Sequence, residues 1–200
     1  MGWARDLTDH ENAFCQALGE VVVFWNHVEQ SFRTLLQRAT HIGGPDGRLW
    51  SLIAHLTPVQ LKDALLALSE DHEEARREHL RHCAALFDRE REYRNHYVHG
   101  PVTFLTTDTA SVALASSVAA RGGNLQVRRA EVTAAELVAF RDRLGALQDY
   151  IGELLRDSAN LRGGEPLAKL EKPPIADPPA VPKESWWARA EKSRASGERA

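Results

Sequence analysis

Phe14, Leu18, Val21, Trp25, Val28, Phe32 and Leu35 recur at alternating gaps of four and three. A strand cannot read such a row, because its side chains alternate faces every two residues. An α-helix of about eight turns reads it as one continuous apolar seam. Thr8-Asp9-His10-Glu11 precedes the seam as a capping box, and Gly43-Gly44-Pro45 follows it as a breaker, so the helix is expected from residue 8 to near Thr40.

The same grammar returns down the chain. A short helix is expected from Asp46 to His55. Thr57-Pro58-Val59-Gln60 opens the next, with Pro at the favoured first position and Leu61, Leu65 and Leu68 on its inner face. A long, charged helix is expected from about Glu73 to His99, with Leu80, Cys83, Ala84 and Phe87 as its stripe. Extended, that stripe reaches Arg91 or Glu90, then Arg94, then Tyr97 and Val98. A third capping box, Thr133-Ala134-Ala135-Glu136, begins a last seam through Leu137, Phe140, Leu144, Leu147, Ile151 and Leu154. Residues 102–130 lean towards β structure and read as a small antiparallel hairpin or meander. The fold class expected is therefore mainly α: an up-down bundle of four to five helices with a small β-hairpin insertion.

Six of the nine prolines lie beyond residue 160, at 166, 173, 174, 178, 179 and 182. Proline lacks the amide proton that helices and central strands need, so 161–200 reads as a disordered Pro-rich C-terminal tail after a domain spanning 1–160. Ser185-Trp186-Trp187-Ala188-Arg189 stands out within it, either as a docking peptide or as a short terminal helix.

Composition narrows the partners. The chain has 200 residues, 43% of them apolar, and a formal net charge of -3. That suits a packed domain and excludes a generally basic nucleic-acid coat, while leaving room for a local basic patch. MGWARDLTD carries no apolar targeting stretch and no run reaches transmembrane length. A cytoplasmic protein with no membrane contact is expected. Two cysteines, Cys15 and Cys83, make no disulfide framework, and both are expected to be buried thiols.

The segment Arg94-Asn95-His96-Tyr97-Val98-His99-Gly100-Pro101 carries the chemistry. Gly-Pro stops the charged helix abruptly. Its last turn holds an Arg and two His near the negative end of the helix dipole, which favours protonated imidazole. Arg94 falls on the inward face, where a guanidinium needs a carboxylate or a cleft. Glu29, on the flank of the first seam, is either a solvated edge residue or the partner of such a cation. An Arg with a His five residues on occurs four times (Arg5/His10, Arg77/His82, Arg91/His96 and Arg94/His99), so spacing alone singles out none. The last is distinguished by Asn95, the inward face and the Val-His-Gly stop.

With that context the region resembles the HEPN superfamily, small helical bundles that are often ribonucleases. Their motif is Arg, a polar residue, several variable residues and His before a helix break; Arg94, Asn95 and His99 match it one by one. Trp25-Asn26-His27-Val28-Glu29 within a long first helix is similar to HEPN-like bacterial proteins, and the resemblance spans roughly residues 8 to 158. It implies a metal-independent endoribonuclease with the biological role of a toxin or phage-defence component. RNA would be the substrate, and two motifs would face one cleft in a homodimer. His99 would move the proton, Arg94 would stabilise phosphate charge, and Asn95 would orient His99 or the phosphate. Glu29, His96 and Tyr97 would support them. An antitoxin or other regulatory protein would be a further partner. HEPN toxins paired with nucleotidyltransferase antitoxins carry a Tyr two residues after the His; here that position is Pro101, so regulation through such a Tyr is not expected.

Two other classes compete. His79/His82 and His96/His99 have helical spacing for metal ligation, yet none of the nine His has a Glu three residues before it, as di-iron bundles require. No metal and no cofactor are expected. The other class is a non-catalytic bundle that binds a protein or RNA partner. The mixed Arg/Glu surface of helix 73–99 reads first as a solvated, salt-bridged face.

Overall fold

The computed structural model describes residues 7–40, 47–98, 102–106, 111–121, 124–158 and 167–177. Among these, the chain is mainly helical: α1 Asp9–Ala39, α2 Gly47–Ala54, α3 Pro58–Ser69, α4 Glu74–Val98 and α5 Ala134–Ser158. All three capping boxes form. The Thr8 amide donates to Glu11 at 2.9 Å and the Glu11 amide donates to Thr8 at 3.3 Å. Thr57 with Gln60 and Thr133 with Glu136 repeat the reciprocal pairing, which satisfies amides that have no partner within the helix.

α4 lies against both long helices. Arg76 meets Asp157 at 2.7 Å and Glu90 meets Arg143 at 3.2 Å, so α4 and α5 are antiparallel. Glu20 meets Arg141 at 2.6 Å and Ser31 accepts from Gln148 at 2.7 Å, so α1 and α5 run the same way. The seams close on an aromatic stack: Phe87 of α4 lies between Trp25 and Phe32 of α1, with ring centroids at 5.2 and 4.0 Å. Phe14, Val21, Trp25, Val28, Phe32 and Leu35 are all buried, as are Leu137, Phe140, Leu144, Leu147, Ile151 and Leu154 of α5. Burial of side chains this size removes about 1.5–3 kcal/mol of unfavourable hydration each, which makes this stack the mechanical centre of the bundle.

Between α4 and α5 the backbone runs as β1 Val102–Thr106, β2 Ser111–Arg121 and β3 Asn124–Val132, antiparallel in the order β1-β2-β3, with Val118 opposite Val127. Phe104 reaches the bundle edge-on to Phe14 at 5.5 Å. Gly100 and Pro101, the expected helix stop, lie outside the described residues, as do Trp186 and Trp187.

Two expectations change. Cys15 is exposed, whereas Cys83 is buried. One residue past Phe14 is a 100° turn away from the seam, and apolar neighbours in sequence do not bring Cys15 inside. Residues 167–177, assigned from sequence to the disordered tail, instead lie on α4. Leu167 is buried, and a 3₁₀ turn at Leu167–Lys169 leads into a strap without regular secondary structure. The prolines that forbid a helix are compatible with an extended chain laid over one.

Candidate functional site

The stripe of α4 continues past Phe87 onto Glu90, which is 2% exposed, and not onto Arg91. Arg91 turns back along its own helix to Asp88 at 2.7 Å. The carboxylate goes inward because α5 supplies Arg143, whose Nε donates to both Glu90 oxygens at 3.2 and 3.3 Å. Burial still outweighs that pairing and raises the Glu90 pKa above the ordinary glutamate value. The Arg143 guanidinium lies 4.2 Å from the Tyr93 ring centroid and 5.2 Å from that of Phe140.

Arg94, one turn beyond Glu90, faces α1. Its side chain is half-buried, with Cζ 6.0 Å from the Trp25 ring centroid and Nη1 donating to Asn95 Oδ1 at 3.3 Å. Loss of hydration lowers the Arg94 pKa, and the nearby Glu29 charge works against that shift. A guanidinium stays protonated at neutral pH under such a shift. Glu29 is not its direct partner. Glu29 Oε1 lies 2.6 Å from Arg33 Nη1, and Oε2 accepts from Trp25 Nε1 at 2.9 Å. Trp25 therefore links the two: its ring faces Arg94 while its N–H holds Glu29.

The supporting residues sit on the neighbouring face. His96 is edge-on to Tyr97 at 5.1 Å. The Tyr97 ring packs on Tyr93 at 5.9 Å and Phe140 at 5.8 Å. Burial pushes its hydroxyl pKa up to about 12, so it acts in the neutral form. The structure thus brings together Arg94, Asn95, Trp25 and Glu29 on one side, and His96, Tyr97 and Tyr93 on the other. His99 lies outside the described residues.

Two other His have structural tasks. His79 Nδ1 is 2.6 Å from the Tyr150 hydroxyl, and His82 Nε2 is 2.8 Å from the Pro173 carbonyl. Among the described residues, no group of three or more His, Cys, Asp or Glu is placed to hold a metal ion. None of the described helices is long and apolar enough to cross a membrane.

Sequence reasoning missed Arg33 as the partner of Glu29, although its i+4 spacing was the available signal. It missed Arg143 and Trp25 as site neighbours, because contacts between helices leave no spacing to read. Comparison of the chain with protein-family models, with curated proteins and with solved structures finds no match in any of the three.

Proposed function

We propose that the chain is a metal-independent endoribonuclease of HEPN type, acting as a homodimer, with the strands after α4 as an insertion in its helical core. The observation that carries this reading is the state of Arg94. Among the described residues it has no direct ion pair, although the carboxylate of Glu29 is close enough to act on its charge. Burying a guanidinium without pairing it costs stability, so a half-buried one that leaves the adjacent carboxylate to Arg33 is suited to receive an external anion.

In that reaction the ribose 2′-oxygen attacks the adjacent phosphorus as its proton passes to a base. The bond from phosphorus to the 5′-oxygen breaks, and that oxygen takes a proton from an acid. The products are a 2′,3′-cyclic phosphate and a 5′-hydroxyl. His99 serves as base or acid, with the His99 of a second copy as the complementary group. Arg94 stabilises the charge on the phosphate oxygens, and Asn95, already bonded to Arg94, fixes its aim.

The test uses purified full-length chain on single-stranded RNA, with product ends identified. Arg94→Ala and His99→Ala should each abolish cleavage while preserving helical content. Unchanged cleavage by either variant rejects the assignment. A non-catalytic scaffold that binds RNA or protein is the second reading. It is favoured by the surface of α4, where Arg77, Arg81, Arg89 and Arg91 each meet a nearby carboxylate, as in a salt-bridged bundle face that does no chemistry. Binding of uncleaved RNA by both variants and wild type alike would select it.

A further inference from the structure

Residues 170–177 have no regular secondary structure, so their carbonyls have no ladder to join. Two of them are met by side chains of α4. His82 Nε2 donates to the Pro173 oxygen at 2.8 Å, and the Tyr93 hydroxyl donates to the Asp177 oxygen at 2.7 Å. Lys172 adds an ion pair to Glu78 at 3.1 Å. From Glu78 through His82 to Tyr93 the contacts advance along α4 as the strap advances in sequence, so strap and helix run in the same direction.

The lengths agree. The eleven residues from His82 to Tyr93 rise about 16 Å along a helix. Pro173 to Asp177 spans about 12 Å as an extended, proline-set chain. The remainder is covered because helical side chains lean towards the N-terminus and the longer Tyr93 side chain reaches further back than the His82 ring. Near its start a cleft of about 590 Å³ opens beside the strap and α4, lined by Glu74, Ala75, Glu78, His79, Leu170 and Lys172. Leu167 is buried in the bundle core and Leu170 packs against it, so apolar contact anchors the start of the strap and discrete polar pins hold it beyond that point.

Tyr93 ties the far pin to the candidate site. Its ring lies under the Arg143 guanidinium and packs on Tyr97 and Phe140, and the next residue in sequence is Arg94. We propose that the strap Leu167–Asp177 is a clasp on α4, and that Tyr93, held by it, is a positioning residue that sets the last turns of the helix and hence the aim of Arg94. The part concerning Arg94 rests on the nuclease reading; the clasp itself does not. The proline pair supports it, because a chain with two fixed φ angles loses less entropy when laid down.

The experiment uses the full-length chain carrying His82→Phe and Tyr93→Phe together, which leaves an aromatic ring at each position and removes both hydrogen bonds to the strap. Amide hydrogen exchange should quicken by about ten-fold at residues 91–98 while the buried amides of α1 and α5 keep their rates. On RNA, kcat should fall by about ten-fold with KM unchanged, since substrate still binds but the reacting geometry is lost. Unchanged exchange at 91–98, or equal quickening throughout the bundle, overturns the clasp. Quickened exchange with unchanged kcat overturns the positioning role of Tyr93. If the wild-type chain does not cleave RNA at all, the nuclease reading fails and exchange alone decides the clasp.

Discussion

Glu29 grips Arg33 at 2.6 Å and leaves Arg94 to the face of Trp25. Both cations are within its electrostatic reach, and the i+4 geometry along α1 gives Arg33 the shorter path. Arg33 also donates to the Leu56 carbonyl at 3.1 Å, which fixes it in place and ties α1 to the chain entering α3.

Arg33→Ala is therefore expected to free Glu29 for Arg94. A carboxylate bonded to the guanidinium would compete with substrate phosphate, and RNA cleavage should drop by about ten-fold, equivalent to 1.4 kcal/mol. Adding Glu29→Gln removes the competing charge and should restore most of the loss. Initial rates on one RNA for wild type, Arg33→Ala and the double variant supply the check. Failure of the second change to recover activity would mean that Arg33 acts in another way.

Trp25→Phe isolates the bridge. The substitution keeps a ring against Phe87 but deletes the N–H that holds Glu29 at 2.9 Å. The lost hydrogen bond to a charged acceptor and the smaller ring together should lower stability by about 2–4 kcal/mol, read as a lower urea midpoint at unchanged slope. Glu29→Gln in the same background should cost less than it does in wild type, because the two side chains act as one unit.

Glu90→Gln tests the inward carboxylate. Burial raises its folded pKa above the ordinary value of 4.5, despite the attraction of Arg143. The folded state therefore prefers the protonated form. That contribution to stability is fully present below pH 4.5 and is lost as pH rises through the folded pKa. Gln imitates the neutral acid and still accepts from Arg143, so the variant should be more stable than wild type at pH 8 by about 1 kcal/mol. The difference should vanish near pH 4, where both side chains are uncharged. Thermal melts at the two pH values decide it, and a variant less stable at pH 8 would show the ion pair to be net favourable.

The helical frame was legible because each device behind it is local: a spacing, a capping box, a breaker. Phe14 through Leu35 occupy one face whatever else the chain does, and Thr8, Thr57 and Thr133 satisfy amides only three residues away. What escaped the sequence was decided between elements. Whether Glu90 or Arg91 turns inward depends on Arg143, fifty-three residues from Glu90. The fate of Pro173 depends on His82, ninety-one residues away. Arg94 lies half-buried against Trp25, yet no spacing shows that Trp25 would lie beside it or that Arg33 would take the carboxylate of Glu29.

His79 gives the pH dependence on the acid side. It is 3% exposed, with Nδ1 2.6 Å from the Tyr150 hydroxyl. Burial lowers its pKa below 6.5; Lys172 and His82 push the same way, while a Leu167 backbone contact and Glu78 oppose. The folded state thus prefers neutral imidazole and the unfolded chain takes up the proton first. Stability is complete above pH 6.5 and declines as pH falls towards the folded pKa, by at most about 1.4 kcal/mol per pH unit for one proton. His79→Gln has no proton to gain. It should begin less stable at pH 7.5, because the bond to Tyr150 is weakened, yet lose less between pH 7.5 and 5.5 than wild type does. Urea unfolding at both pH values measures the two slopes. Equal slopes would show that His79 takes up its proton equally readily in the folded and unfolded chain, and that burial does not hold it neutral.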